Sequence, residues 1–231
     1  MAARVRIRVI AHRGRHDRQR ENSLGAFRDA ISTGADAAEL DVRLTRDGVP
    51  VLAHDPLLWG RVPPRVVRWS SARRLGCLTR LDELLTEPVA AGHELPIVLD
   101  VKRGDDLGAV AAYCLERADA ARIALWCRDA DQLGKLPRKA EFGELSLLPE
   151  GYERAQILGY LDDAAACGSS AVSLHPEVIS ASLVVAAHQR GLRAYAWIRS
   201  PADHVPAVRH GVDGLVTDWI DEACAAVRDA D

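Results

Sequence analysis

Short apolar runs alternate with longer amphipathic runs along the whole chain, and this alternation constrains the fold more than any other feature. Residues 5–11, 37–44, 97–101, 123–127, 145–149, 171–175, 193–197 and 214–217 read as strands. Residues 24–33, 81–85, 107–118, 130–136, 152–167, 181–189, 202–209 and 220–227 read as helices. A strand followed by a helix, repeated, requires parallel strands joined by helical crossovers. Eight such strands favour a closed (β/α)₈ TIM barrel over an open doubly wound sheet. The open sheet loses its usual signature because no GxGxxG follows the first strand, and no GxxxxGK[ST] occurs anywhere. A chain of 231 residues, 48% of them hydrophobic, can bury one core, so residues 1–231 are expected to form a single domain.

Local signals agree with this reading. Asn22-Ser23 caps the helix that begins at Leu24, and Ala26, Phe27, Ala30 and Ile31 form its apolar stripe. Gly34 closes it. Asp47-Gly48 is a tight turn that returns the chain through a short strand at 49–53. A net charge of −3 lacks the broad basic footprint of a nucleic-acid binder, so nucleic acid is not an expected partner. Five scattered cysteines without a CxxC pair read as reduced thiols. No run approaches the ~18 apolar residues of a membrane span. A soluble, cytoplasmic protein without integral membrane contact is expected.

Barrels carry their chemistry at the C-terminal ends of their strands, and polar residues gather there. Glu39 and Asp41 are two apart on one strand and share a face. Two carboxylates on an inward face repel each other and lose solvation. Either a divalent cation resolves this, Mg²⁺ or Ca²⁺ by ligand type, or arginines at the rim do. Asp100 and Lys102 also share a face; Asp100 is either a third acidic ligand or the partner of Lys102 in a buried ion pair. His12 and His54 are able to exchange protons near neutral pH. Arg13 has the planar fork that suits phosphate. His175 and Trp197 end later strands and are candidates for the pocket wall. Trp59 and Trp69 either cover a site or anchor a loop. His16, His93, His188, His204 and His210 read as surface residues.

The ordered set His12-Arg13-Gly14, Glu21-Asn22-Ser23, Ala26-Phe27, 34–42, 45–55 and 211–218 resembles the glycerophosphodiester phosphodiesterases, relatives of the phosphatidylinositol-specific phospholipase C barrels. The resemblance implies a metal-dependent phosphodiester hydrolase that releases glycerol 3-phosphate and an alcohol from a small-molecule glycerophosphodiester. It implies His12 and His54 as the catalytic pair, and Glu39, Asp41 and Asp100 as ligands of one divalent cation. Arg13 and Lys102 would contact the phosphate, with Asn22 and Asp55 bracing the site. The chain departs from the family pattern in four places. Arg20 and Ser23 replace Pro and Thr around Glu21-Asn22; Asp100 replaces Glu; Trp197 is followed by Ile198-Arg199-Ser200; and the insertion at 56–78 is short and lacks a Leu-x-Arg-Thr element. The short insertion leaves a lysophospholipid or another phosphodiester as an alternative substrate. A degenerate barrel that binds phosphodiesters without cleaving them is the non-catalytic alternative.

Overall fold

The computed structural model describes residues 6–58, 60–74, 78–88, 92–149 and 154–230. Val5, Trp59, Cys77 and Tyr152 lie outside the described residues. Eight parallel strands close into a barrel: β1 (Arg8–His12), β2 (Ala37–Leu44), β5 (Ile97–Val101), β6 (Ile123–Cys127), β7 (Glu144–Leu147), β8 (Ala171–Leu174), β9 (Arg193–Trp197) and β10 (Gly214–Thr217). They follow one another in chain order around the wall, and β1 closes it by pairing with both β10 and β2. Two short antiparallel strands, β3 (Pro50–Leu52) and β4 (Thr79–Arg80), extend the sheet beside β2. The (β/α)₈ barrel expected from the alternation is therefore the fold.

Helices α1 (Leu24–Thr33), α2 (Trp69–Arg74), α3 (Leu81–Leu85), α4 (Leu107–Arg117), α5 (Ala130–Lys135), α6 (Ile157–Ala166), α7 (Ala181–His188), α8 (His204–Arg209) and α9 (Ile220–Arg228) fill the connections. Ser23 caps α1 by accepting from the Ala26 amide at 3.2 Å, and Gly34 ends it at φ 107°. Leu161 and Ala164 form the buried edge of α6, and the buried Cys167 caps it. That helix begins at Ile157 rather than near 152, with a single 3₁₀ turn at Arg154–Gln156 before it. No helix among the described residues is long and apolar enough to cross a membrane.

Strand periodicity divides the apolar residues into two layers. One face of each strand packs on the helices, where Val9, Leu40, Leu99, Leu125 and Leu215 meet Phe27, Leu107 and Ala223. The other face fills the lumen with Ile10, Ala37, Val98, Ala124, Trp126, Ala171, Tyr195 and Val216. Gly214 makes room for this packing, because a Cβ there would lie 2.7 Å from the Tyr195 ring. The lumen is thus a packed interior with an upper rim open to polar residues.

Candidate active site

The same alternation that buries Ala37 and Val98 carries Glu39, Asp41 and Asp100 up the lumen. Register sets His12 beside Glu39 and Asp41 beside Asp100, so three neighbouring strands deliver these groups to one place. Glu39, Asp41 and Asp100 are all fully buried, and one oxygen from each lies within 4.8 Å of the others. Glu39 Oε1 and Asp100 Oδ1 have no hydrogen-bond partner among the described residues. Asp41 Oδ1 meets only the Lys102 ammonium, which also reaches Asp100 Oδ2.

Electrostatics follow from this crowding. Burial and the neighbouring Asp41 push the Glu39 carboxyl well above the ordinary glutamate range. Asp41 is buried too, but the Lys102 ammonium, the Asn22 amide and Arg13 outweigh that penalty and hold its pKa down. Burial opposes the Lys102 charge, and Asp100 and Asp41 more than restore it. Asp100 and Lys102 thus form the ion pair, and Asp100 keeps one oxygen uncommitted. Hard oxygen donors with unsatisfied lone pairs fit a divalent cation of the Mg²⁺ or Ca²⁺ type.

The loop after β1 holds the acids in place. Asn22 clamps Asp41 from two sides, its amide nitrogen 2.7 Å from Asp41 Oδ2 and its carbonyl oxygen accepting from the Asp41 backbone at 2.8 Å. The Arg13 amide donates to Glu39 Oε2 at 3.1 Å, and its guanidinium pairs with Glu21 at 3.0 Å and Asp41 at 3.4 Å. Arg13 and Asn22 both adopt left-handed backbone, at φ 56° and 54°. Non-glycine residues reach that region at a cost, which the surrounding bonds must cover. Gly14 lets the loop seat against α1, where a Cβ would fall 2.7 Å from the Ala26 carbonyl carbon.

Each candidate histidine commits one ring nitrogen to a carboxylate. His12 Nδ1 lies 2.8 Å from Asp218 Oδ1, and His54 Nδ1 lies 3.0 Å from Asp55 Oδ1. Burial opposes the Asp218 charge, yet His12 holds its pKa below the usual value, so that carboxylate accepts and His12 donates Nδ1–H. Nε2 of His12 then carries the lone pair of the neutral ring. Trp197 packs edge-on against the His12 ring at 4.8 Å between centroids. Arg43 anchors the other histidine by donating twice to the His54 carbonyl, at 2.7 and 3.1 Å. A cleft of about 240 Å³ opens beside His54, lined by Glu21, Asn22, Asp55, Leu57 and Leu58.

His175 is buried at the end of β8, its Nε2 3.1 Å from Arg199, and burial lowers its pKa. Sequence reasoning missed Asp218 as the partner of His12, although a carboxylate just past the last barrel strand is a usable signal. It also missed Arg128, whose Nη1 lies 3.4 Å from Asp100 Oδ2. Two histidines assigned to the surface are placed otherwise. His204 is 1% exposed and bonded to Thr217 and the Pro201 carbonyl, and His16 is half-buried 3.8 Å from Asp218. A second buried acid, Glu144, sits at the opposite end of the lumen under Trp126 and Tyr195.

Comparison with known proteins gives concordant results. Residues 12–96 match the model of the glycerophosphoryl diester phosphodiesterase family. The Bacillus subtilis protein YqiK is 27% identical over 96% of this chain and 98% of its own length. Glycerophosphodiester phosphodiesterase 1 of Rattus norvegicus is 52% identical over 52 residues, which span 22% of this chain and 16% of that protein. A phosphodiesterase of Oleispira antarctica, solved in complex with the product sn-glycerol-3-phosphate, shares the fold with a TM-score of 0.77 at 18% identity, over 96% of each chain.

Proposed function

We propose that the chain, whose residues 12–96 match the glycerophosphoryl diester phosphodiesterase family, hydrolyses a glycerophosphodiester to glycerol 3-phosphate and an alcohol with one divalent cation, Mg²⁺ or Ca²⁺. One observation carries the reading: Glu39, Asp41 and Asp100 converge in a buried cluster that leaves Glu39 Oε1 and Asp100 Oδ1 without partners. Orphaned buried carboxylate oxygens are costly, and a cation is the group that would use them. Glycerol 3-phosphate in the Oleispira antarctica structure supports the substrate class.

When bound, the cation supplies Lewis-acid stabilisation of the charge that grows on the phosphoryl oxygens. Arg13 and Lys102 add two positive charges beside the same cluster. One histidine accepts the proton of the attacking hydroxyl, either water or the glycerol 2-hydroxyl of the substrate, which closes a cyclic phosphate that water then opens to glycerol 3-phosphate. The other gives a proton to the departing alcohol oxygen as its bond to phosphorus breaks. Asp218 and Asp55 each engage Nδ1 and so leave Nε2 as the exchanging atom. Asn22 fixes the orientation of Asp41.

Turnover of glycerophosphocholine by wild type, His12→Ala and His54→Ala, with Mg²⁺ or Ca²⁺ added, tests the assignment. Both variants should lose at least about 10²-fold in kcat with an unchanged circular dichroism spectrum. Full activity in either variant would remove that histidine from the mechanism.

A further inference from the structure

The segment between His54 and the second half of the chain has a charge unlike the rest of the molecule. From Pro56 to Arg80 it contains six arginines and no acidic residue, although the chain as a whole carries −3. Two of these arginines hold the segment down. Arg65 pairs with the buried Asp106 in the loop after β5. Arg80 lies over the Trp69 ring at 5.6 Å and pairs with Asp82. The Arg46 amide donates to the Val67 carbonyl, and the Trp69 amide to Asp47, both at 2.9 Å. These anchors sit beyond the C-terminal ends of β2 and β5, so the segment lies on the same end of the barrel as His54.

The other four, Arg61, Arg68, Arg73 and Arg74, are exposed. None of them forms an ion pair with a carboxylate among the described residues, and Asp47 is the acid whose charge Arg68 feels. Leu57 and Val66 of the same segment stand exposed, at 37% and 56%. Asp55 flanks the patch on the His54 side.

We propose that this patch docks the protein peripherally on an anionic lipid surface. Unpaired arginines match a layer of negative headgroups, and branched aliphatic side chains beside them gain by entering the headgroup region. Exposed Leu and Val suit a nucleic acid less well, because phosphate contacts dominate its binding and single strands are held by aromatic stacking. The orientation of the mouth toward the membrane rests on the catalytic reading of His54; the docking itself does not.

Co-sedimentation of the full chain with vesicles tests the proposal. Vesicles of phosphatidylcholine alone are compared with vesicles containing about 30 mol % phosphatidylserine. Wild type should pellet with the anionic vesicles only and be released by high salt. Each surface arginine contributes roughly fivefold to such partitioning. The variant Arg61→Ala/Arg68→Ala/Arg73→Ala/Arg74→Ala should therefore lose on the order of several hundredfold while keeping its turnover of dissolved glycerophosphocholine. The pair Leu57→Ser/Val66→Ser should weaken binding to the anionic vesicles by a smaller factor. Equal pelleting with both vesicle types, no pelleting with either, or retention of full binding by the four-arginine variant overturns the proposal. Tighter binding to a DNA or RNA oligonucleotide than to anionic vesicles also overturns it. The vesicle comparison of wild type requires no catalysis, so an inactive protein that still pellets would sink the functional reading and leave the docking standing.

Discussion

Two buried acidic centres occupy the two ends of one lumen, and they differ in what their oxygens do. At the lower end, Glu144 is saturated. Trp126 Nε1 donates to it at 3.0 Å, the Tyr195 hydroxyl at 2.6 Å, and the Arg193 guanidinium lies 3.0 Å away. Arg8 completes the network through the Tyr195 hydroxyl at 3.0 Å. At the upper end, three carboxylates share Lys102, Arg13 and Asn22, and two of their oxygens remain unspent. A satisfied buried charge is architecture; an unsatisfied one is binding capacity held open at a cost in stability.

Exchanging carboxylate for amide at each end should separate these roles. Glu39→Gln should lower turnover by about 10³-fold or more, because on the proposed reading it removes a cation ligand. It should not lower the melting temperature of the metal-free protein, since the raised pKa of Glu39 marks an acid that the fold resists ionising. A variant that retains activity would break the comparison at its upper end. Glu144→Gln should do the reverse. It turns an acceptor into a donor against Tyr195 and Arg193, and should cost about 3 kcal/mol in urea unfolding while kcat stays near wild type.

A smaller effect sharpens the upper end. Asp218→Ala should reduce kcat about 10- to 100-fold, with the loss appearing in kcat rather than KM. An unchanged kcat would leave His12 without need of its orienting carboxylate. The smallest effect is one of pH. The raised pKa of Glu39 contributes stability that is complete below the ordinary glutamate range and is lost as pH rises through the folded value. Metal-free protein should thus weaken as pH climbs, and saturating Mg²⁺ or Ca²⁺ should cancel the loss. Cation binding should release a proton, detectable by calorimetry in buffers of different ionisation enthalpy.

Much of the upper end was legible because period-two alternation is a local rule. Glu39 and Asp41 declare a shared face without knowledge of any other strand, and strands 37–44, 97–101, 123–127, 193–197 and 214–217 have the ends expected of them. The lower end was not legible. Glu144 follows Gly143 at the start of a strand, and its donors come from β6 and β9, so nothing near it in the chain marks it as buried. His12 and Asp218 are separated by 206 positions, and only closure of the barrel between β1 and β10 joins them. His204 was read as a surface residue because it lies in the helix expected at 202–209; its Thr217 partner belongs to the neighbouring strand.

The stacking of Trp126 on Tyr195, 5.7 Å between ring centres, bears on traffic as well as stability. With that plug in place the lumen offers no passage below the acids. Whatever enters above Asp41 must retreat along its own track, and each departing phosphate monoester obstructs the next diester until it has cleared the threshold. Accumulated glycerol 3-phosphate should accordingly slow the reaction by simple competition, raising the apparent KM and sparing the maximal rate.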